Sequence, residues 1–234
     1  DDLADRRLEL LPAKGIDGTE LAAAAEAAAD SADKSTKIPE PEFGDRADLL
    51  VNGVVAATAW ALGGSVDGRR IFVEGDTADP IHQAVTEAMV SAGADTVDPT
   101  VDDAKPWTVW ATEADAILVG SRPGTMNHQG AELVNVEAVI PWAPLPITTK
   151  ALAVLIGRGI TYVPDFISAS GPLVAEHLTV DGIDRGHRLS TAVSEGLDGL
   201  AIDDDPLFIA ACHRAETFLA TWQEKLPFGR PLAG

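Results

Sequence analysis

The sequence predicts an α/β fold: a doubly wound, mostly parallel sheet with helices on both faces. Residues 69–73 carry the β-branched and aromatic side chains of a short buried strand, which Gly75 ends. Asp79 and Pro80 then begin a helix, with a carboxylate at the N-cap and proline at the first helical position. Apolar residues recur at helical spacing, and residues 94–97 resume an extended pattern. A strand, a helix and a second strand in this order predict a right-handed crossover between parallel neighbours.

The rest of the chain continues this layered pattern. Further strands are predicted at residues 108–111, 116–119, 138–140 and 159–163, and further helices at residues 46–62, 147–157, 174–180, 185–197 and 206–226. Residues 19–33 predict an alanine-rich helix with almost no large apolar side chain, and residues 35–45 form a proline-bearing linker. We therefore predict a helical N-terminal extension and linker over residues 1–45. Residues 46–234 form a Rossmann-like domain of the dinucleotide-binding type.

Length and composition exclude several classes of function. The 234 residues suffice to bury the core of one α/β domain. The formal net charge of −20 argues against nucleic acid or an anionic membrane as a partner, because both would repel the chain. No apolar run is long enough to cross a bilayer, and no secretory leader is visible. Cys212 is the only cysteine, so an internal disulfide is impossible and a cytoplasmic location is expected.

The turn after the first strand has the shape of a dinucleotide site without its chemistry. Such sites hold a diphosphate with glycines and bare backbone amides at a helix N-terminus. Gly75 occupies the first glycine position, but Thr77 falls near a later one. Glu74, Asp76 and Asp79 place three carboxylates in the same turn, and these should repel phosphate. Two interpretations remain open: a phosphate cradle, or a helix start capped by its own side chains.

The loop after the strand at residues 116–119 supplies further candidates. Ligands bind at the carboxyl ends of parallel strands, and this topology alone makes candidates of Ser121, Arg122, Asn127 and His128. Asn127 could equally cap the helix that follows. The five histidines lack zinc-like spacing, and neither a nucleophile elbow nor an ATPase phosphate loop is present. We therefore expect no metal ion.

Near the end of the domain, the run RGITYVPDFISASGPLVAE supplies a specific pattern. A glycine, a tyrosine and a proline-aspartate-aromatic triplet precede another glycine, at Gly159, Tyr162, Pro164, Asp165, Phe166 and Gly171. The segments VVAATAWAL, ADAIL and TWQEKLPFGRPLA accompany this run in matching order. The pattern resembles the C-terminal NAD(P)-binding domain of the glutamate, leucine, phenylalanine and valine dehydrogenase family, over about residues 46–234.

The resemblance implies NAD or NADP as the cofactor. It places cofactor contacts at Gly75, Thr77, Asp98, Ser121, Asn127 and Asp165, with Asp98 as the acid for the adenine ribose. Capping of the next helix is an equal alternative for Asp165. The chain departs from the family at Ala169, where an asparagine is expected, and at residues 142–146 (WAPLP), where paired asparagines line the nicotinamide site. We therefore expect cofactor binding to be weak or lost.

The resemblance also bears on catalysis and partners. The family carries its catalytic lysine and aspartate on a separate amino-terminal domain, and residues 1–45 are too short and alanine-rich to form it. Lys14 is not expected to be catalytic, so no catalytic residue is predicted. One hypothesis is a non-catalytic partner or scaffold subunit. The other is the NAD(P)-binding half of a split oxidoreductase whose catalytic residues come from another chain. A homo- or hetero-oligomer is expected, since the small residues of the helix at 19–33 permit close approach to another helix.

Overall fold

The fold is built on five parallel strands. The computed structural model describes residues 43–100, 106–176, 183–201 and 205–221. Its strands are β1 (Arg70–Val73), β2 (Asp95–Thr96), β3 (Ala116–Val119), β4 (Ala138–Pro141) and β5 (Thr161–Tyr162). They pair in the order β2-β1-β3-β4-β5, with Arg70 opposite Asp95 and Ile71 opposite Ala116. Because β1 is followed along the chain by β2 on one side and β3 on the other, the strand order reverses between β1 and β3.

Helices cover both faces of this sheet. They are α1 (Phe43–Ala61), α2 (Pro80–Ser91), a 3-10 helix (Pro106–Ala111), α3 (His128–Leu133), α4 (Thr149–Gly157), α5 (Asp165–Ser168), α6 (Gly171–Glu176), α7 (Ile183–Asp198) and α8 (Leu207–Ala220). One apolar cluster joins the sheet to α1, α2 and α7. A second cluster joins the opposite face to the 3-10 helix, α3 and α4. The predicted Rossmann-like fold class is confirmed.

The central strand-helix-strand unit agrees with its sequence pattern. Asp79 is the N-cap of α2, and its carboxylate accepts hydrogen bonds from the backbone N–H groups of Ile81, at 2.8 Å, and His82, at 3.3 Å. Val85 and Met89 are buried on the inner face of this helix. The crossover from β1 to β2 is parallel, as predicted.

The strand predicted at residues 108–111 is wrong. These residues lie in the 3-10 helix, which begins at Pro106. The indole of Trp110 is buried against Gly130 of α3, where a Cβ atom would lie 2.8 Å from the ring. Burial of an indole against a neighbouring helix therefore prevails over the local preference for an extended chain.

Some predictions lie partly or wholly outside the described residues. The helix at 19–33 and Lys14 are outside them, so the predicted N-terminal extension stays a prediction. The lead-in helix begins at Phe43, ahead of the predicted domain boundary at residue 46. The last described helix ends at Ala220, within the predicted range of 206–226. Within the described residues, no helix combines the length and the apolar character needed to cross a membrane.

Two glycines allow α1 to approach the chain that follows β5. A Cβ atom on Gly171 would lie 1.9 Å from the carbonyl oxygen of Leu49, and a Cβ atom on Gly53 would lie 2.7 Å from that of Ser168. Backbone atoms cannot move aside as the end of a flexible side chain can. Any side chain at these positions would therefore push α1 away from α5 and α6.

We predict that Gly171→Ala lowers the free energy of unfolding by about 1–3 kcal/mol, the usual cost of overpacking. Gly196→Ala is the matched control, because a Cβ atom there meets nothing within 4 Å. Alanine inside α7 should stabilise the protein by up to about 1 kcal/mol. Urea unfolding of both variants measures the difference, and equal effects would contradict the close approach.

Candidate functional site

The Glu74 carboxylate lies at the adjoining carboxyl ends of β1 and β3. Glu74 follows β1 directly, and only 8% of its surface is exposed. Its carboxylate accepts hydrogen bonds from the backbone N–H groups of Gly120 and Ser121, both at 3.1 Å. The hydroxyl groups of Ser121 and Thr125 also donate to it, the latter at 3.1 Å. The side chain therefore turns into the edge of the sheet instead of projecting over the turn that follows β1.

The indole of Trp142 fills the space over the same strand ends. Trp142 follows β4 and is fully buried, and its Nε1–H donates to the carbonyl oxygen of Glu74 at 3.2 Å. A Cβ atom on Gly120 would lie 2.6 Å from the indole, and one on Gly75 would lie 3.0 Å from it. The ring of His82 meets the indole edge-on, with centroids 6.1 Å apart. The crevice over β1, β3 and β4 is thus occupied by the protein's own side chains.

The other two acids of the turn serve the local backbone. Asp79 caps α2, and the carboxylate of Asp76 accepts a hydrogen bond from the N–H of Ala78 at 2.9 Å. Gly75 has φ of +151°, a conformation that favours glycine. The geometry agrees with the interpretation of this segment as a helix start capped by its own side chains.

A cavity of about 700 Å³ opens beside the filled crevice. It lies over the ends of β1 and β2, between the 3-10 helix and the loop that follows β3. Four predicted cofactor contacts line it, namely Gly75, Thr77, Asp98 and Asn127, together with the candidate Arg122. The structure therefore brings these residues together, as the topology predicts. Asn127 also caps α3, since its side-chain oxygen accepts from the N–H of Gly130 at 3.0 Å.

The remaining candidates lie elsewhere. Ser121 is bonded to Glu74, and His128 is exposed at the first position of α3 without lining the cavity. The alternative interpretation of Asp165 as a helix cap is wrong, because its carboxylate accepts from the N–H of Leu145 at 2.8 Å and α5 has no side-chain cap. Leu145 has φ of +52°, an unusual conformation for a non-glycine residue. Asp165 therefore helps to hold the loop that carries Trp142.

Tyr162 belongs to the sequence pattern that carries the family resemblance. Burial raises the pKa of its hydroxyl group, and the nearby Asp165 carboxylate raises that pKa further. The phenol therefore stays neutral near neutral pH. Among the described residues, no group of three or more acids, histidines or cysteines could hold a metal ion.

The sequence did not single out two cavity residues. His82 is buried, and its position three and seven residues before Val85 and Met89 marks it as part of the inner face of α2. Trp107 is more than half exposed and lies on the 3-10 helix, one residue before the segment that was predicted as a strand. The 3-10 helix, which the sequence did not predict, brings Trp107 beside the cavity.

Comparison with known proteins agrees with this architecture. Residues 77–183 match the family described as Glutamate/Leucine/Phenylalanine/Valine dehydrogenase. The domain is amino acid dehydrogenase-like. The resemblance inferred from the sequence is thereby confirmed. No curated protein sequence matches the chain.

Solved structures of several dehydrogenases share the fold of this dehydrogenase-like domain. The hetero-hexameric glutamate dehydrogenase from Thermus thermophilus, in its Leu-bound form, is 21% identical with a TM-score of 0.58, and the match covers 81% of this chain and 57% of that one. Glutamate dehydrogenase 2 from Plasmodium falciparum is 14% identical with a TM-score of 0.60, covering 76% and 53%. L-tryptophan dehydrogenase from Nostoc punctiforme is 16% identical with a TM-score of 0.55, covering 75% and 61%. The chain thus spans little more than half the length of these proteins, and the likeness shows the fold alone.

We predict that Glu74→Gln lowers the free energy of unfolding by about 1.5–3 kcal/mol. The glutamine would present an N–H₂ group to N–H and hydroxyl groups that now donate to the carboxylate. It would also lack the negative charge that strengthens these hydrogen bonds. Asp76→Asn is the control, since Asp76 is exposed and accepts a single bond from Ala78. Urea denaturation of both variants measures the effect. If Glu74→Gln lowers the free energy of unfolding no more than the control does, the Glu74 carboxylate does not stabilise the fold through these hydrogen bonds.

Proposed function

We propose that this dehydrogenase-like domain is non-catalytic by itself and acts as a partner or scaffold subunit. The observation that carries the proposal is the position of Trp142. In open α/β sheets, ligands bind in the crevice at the carboxyl ends of the strands, where the strand order reverses. Here the indole lies in that crevice, within van der Waals contact of both Gly75 and Gly120. A dinucleotide that extended from β2 across β1 to β4 would have to displace it.

The charges of the turn support the same conclusion. The backbone N–H groups of Gly120 and Ser121, which could have faced an anion, already donate to Glu74. Asp76 and Asp79 lie at the N-terminus of α2, and the carboxylate of Asp79 takes up two of its free N–H groups. A diphosphate would meet negative side chains in place of open donors. In our proposal the turn that carries Glu74, Asp76 and Asp79 therefore does not fit the diphosphate of NAD or NADP.

A second candidate function is the NAD(P)-binding half of a split oxidoreductase. The cavity favours it, because Gly75, Thr77, Asp98 and Asn127 already line a space next to the crevice. Ser121 already donates to Glu74, and Asp165 already accepts from the N–H of Leu145, so a cofactor would have to share these side chains with their present partners. Trp142 would also have to move. Catalytic residues would then come from another chain.

We expect neither NAD nor NADP, in oxidised or reduced form, to raise the melting temperature of the protein. A ligand at about 100 times its dissociation constant would stabilise the folded state by about 2.7 kcal/mol, which a thermal shift measurement detects. A clear rise with one of the dinucleotides would favour the split oxidoreductase instead.

Trp142→Ala should give a small dinucleotide-dependent rise in melting temperature, because it clears the crevice while the carboxylates of the turn remain. Removing a buried indole costs about 3–5 kcal/mol, so Trp142→Leu serves as a milder second variant. Leu155→Ala is the matched control, since Leu155 is fully buried in α4 in the other apolar cluster. Folding of each variant is checked by circular dichroism. If well-folded Trp142 variants respond no better than the control, the indole is not the obstacle.

An apolar groove supports the role of a partner subunit. It is formed by α5, α6, α7 and α8 and includes the exposed side chains of Phe166, Leu173 and Phe218. Arg214 is the only charged residue among the described residues that line it. Because the chain carries a formal net charge of −20, most of its surface should repel a second copy. We therefore place a contact between copies of the chain on this groove.

Light scattering after gel filtration should give a mass of at least twice the chain mass. Phe218→Ser should shift the protein towards the monomer, because it removes an apolar side chain that is 65% exposed in the groove. Val90→Ser is the control, since Val90 is similarly exposed on α2, outside the groove. A monomeric wild type, or equal behaviour of the two variants, would contradict a contact at this position.

A further inference from the structure

The short helix α5 holds the loop that carries Trp142 by two hydrogen bonds. The hydroxyl group of Ser168 is buried and donates to the carbonyl oxygen of Pro141 at 2.7 Å. Pro141 ends β4 and directly precedes Trp142. The carboxylate of Asp165 accepts from the N–H of Leu145 at 2.8 Å. A movement of α5 would therefore be passed to both ends of the loop and to its indole.

The other face of α5 lies in the apolar groove. Residues three apart share one face of a helix, so Asp165 and Ser168 face the loop together. Phe166 and Ile167, which stand between them in the sequence, line the groove. The ring of Phe166 is half exposed and packs against that of Phe208 in α8, with centroids 6.0 Å apart. One turn of helix thus contacts the loop on one side and the groove on the other.

The position of α5 depends on its neighbours. The helix has only four residues, and a helix of one turn has little stability of its own. Its N-cap is Pro164, whose ring offers no hydrogen bond to the first turn. α1 supports the C-terminal end of α5, where a Cβ atom on Gly53 would lie 2.7 Å from the carbonyl oxygen of Ser168. The half-exposed ring of Phe166 is nearer the other end, so a partner that covers this ring would complete the packing of α5.

The groove suits a second copy of the chain. It encloses about 560 Å³ and includes the exposed rings of Phe166 and Phe218. One surface therefore offers both a hollow and apolar side chains that fit a hollow. In a twofold-symmetric contact the same patch serves both partners, so a patch of this kind can complement itself.

We propose that α5 couples the groove to the crevice. A second copy seated on Phe166 holds α5 in place, and α5 then holds Trp142 over Gly75 and Gly120. The inference rests on the proposed function, because the partner in the groove is another copy of the chain. The assembled protein therefore keeps the crevice closed, whereas in a separated copy the loop and its indole leave the crevice more often.

Hydrogen exchange followed by NMR tests this coupling on the full chain. The Leu145 amide reports on the contact with α5, and the indole N–H of Trp142 reports on its bond to Glu74. Both should exchange about tenfold faster or more in Phe218→Ser, which separates the copies, than in the assembled wild type. The amide of Ile117 in the central strand β3 is the internal reference, and its exchange should change much less.

Two substitutions of Asp165 test α5 without altering the described lining of the groove. Asp165→Ala removes the acceptor of the Leu145 N–H, so this amide and the Trp142 indole should exchange faster while the assembled mass stays the same. Asp165→Asn keeps an acceptor oxygen and should restore slow exchange. Asp115→Ala is the matched control, because the Asp115 carboxylate also accepts a backbone N–H, from Arg70 at 2.7 Å, at the opposite end of the strands.

The outcomes separate this inference from the proposed function. If Leu145 and Trp142 exchange equally in the wild type and in separated Phe218→Ser copies, the coupling fails while the contact between copies stands. A wild type that is monomeric removes the contact, and the coupling with it. If Asp165→Ala speeds exchange at Leu145 but not at Trp142, α5 does not hold the indole. If Val90→Ser speeds exchange as much as Phe218→Ser, the effect does not come from the groove.

Discussion

Glu74 joins the carboxyl ends of three neighbouring strands. Its backbone N–H donates to Leu118 at the end of β3, its carbonyl oxygen accepts from the indole of Trp142 after β4, and its carboxylate accepts from the loop after β3. Most buried carboxylates are stable only when donors surround them, and this one has four. The arrangement of the candidate site depends on this residue, because it brings Trp142 and the loop after β3 to the end of β1.

The glycines of the site serve the indole. Gly75 stands at the position where a dinucleotide site has its first glycine, and Gly120 directly follows β3. In a working site, such glycines let the backbone approach a diphosphate. In this chain the space over both glycines is taken by Trp142, and at Gly75 also by His82. Both glycines are therefore needed for close approach, but the group that approaches them is an aromatic side chain and not a diphosphate. The glycines in the sequence do not show which of the two it is.

The fold was accessible from the sequence where the signals are local. The helix that begins at Pro80 was predicted from its N-cap, Asp79, and from the spacing of the apolar residues that follow. The structure has this helix, with Asp79 as its N-cap. The strand predicted at residues 108–111 failed because burial of Trp110 against Gly130 is a contact between distant segments. The unusual run at residues 142–146 was visible as a departure from the family. The position of Trp142 in the fold could not be predicted, because it depends on the orientation of the Glu74 side chain and on Gly120.

The central claim is that the protein's own side chains hold the place of a dinucleotide. A crystal structure of the protein grown with excess NADH tests this most directly. Our account predicts the indole of Trp142 between Gly75 and Gly120, its Nε1–H still bonded to the carbonyl of Glu74, and no dinucleotide over the turn. A diphosphate lying across Gly75, with Trp142 displaced from the crevice, would contradict it.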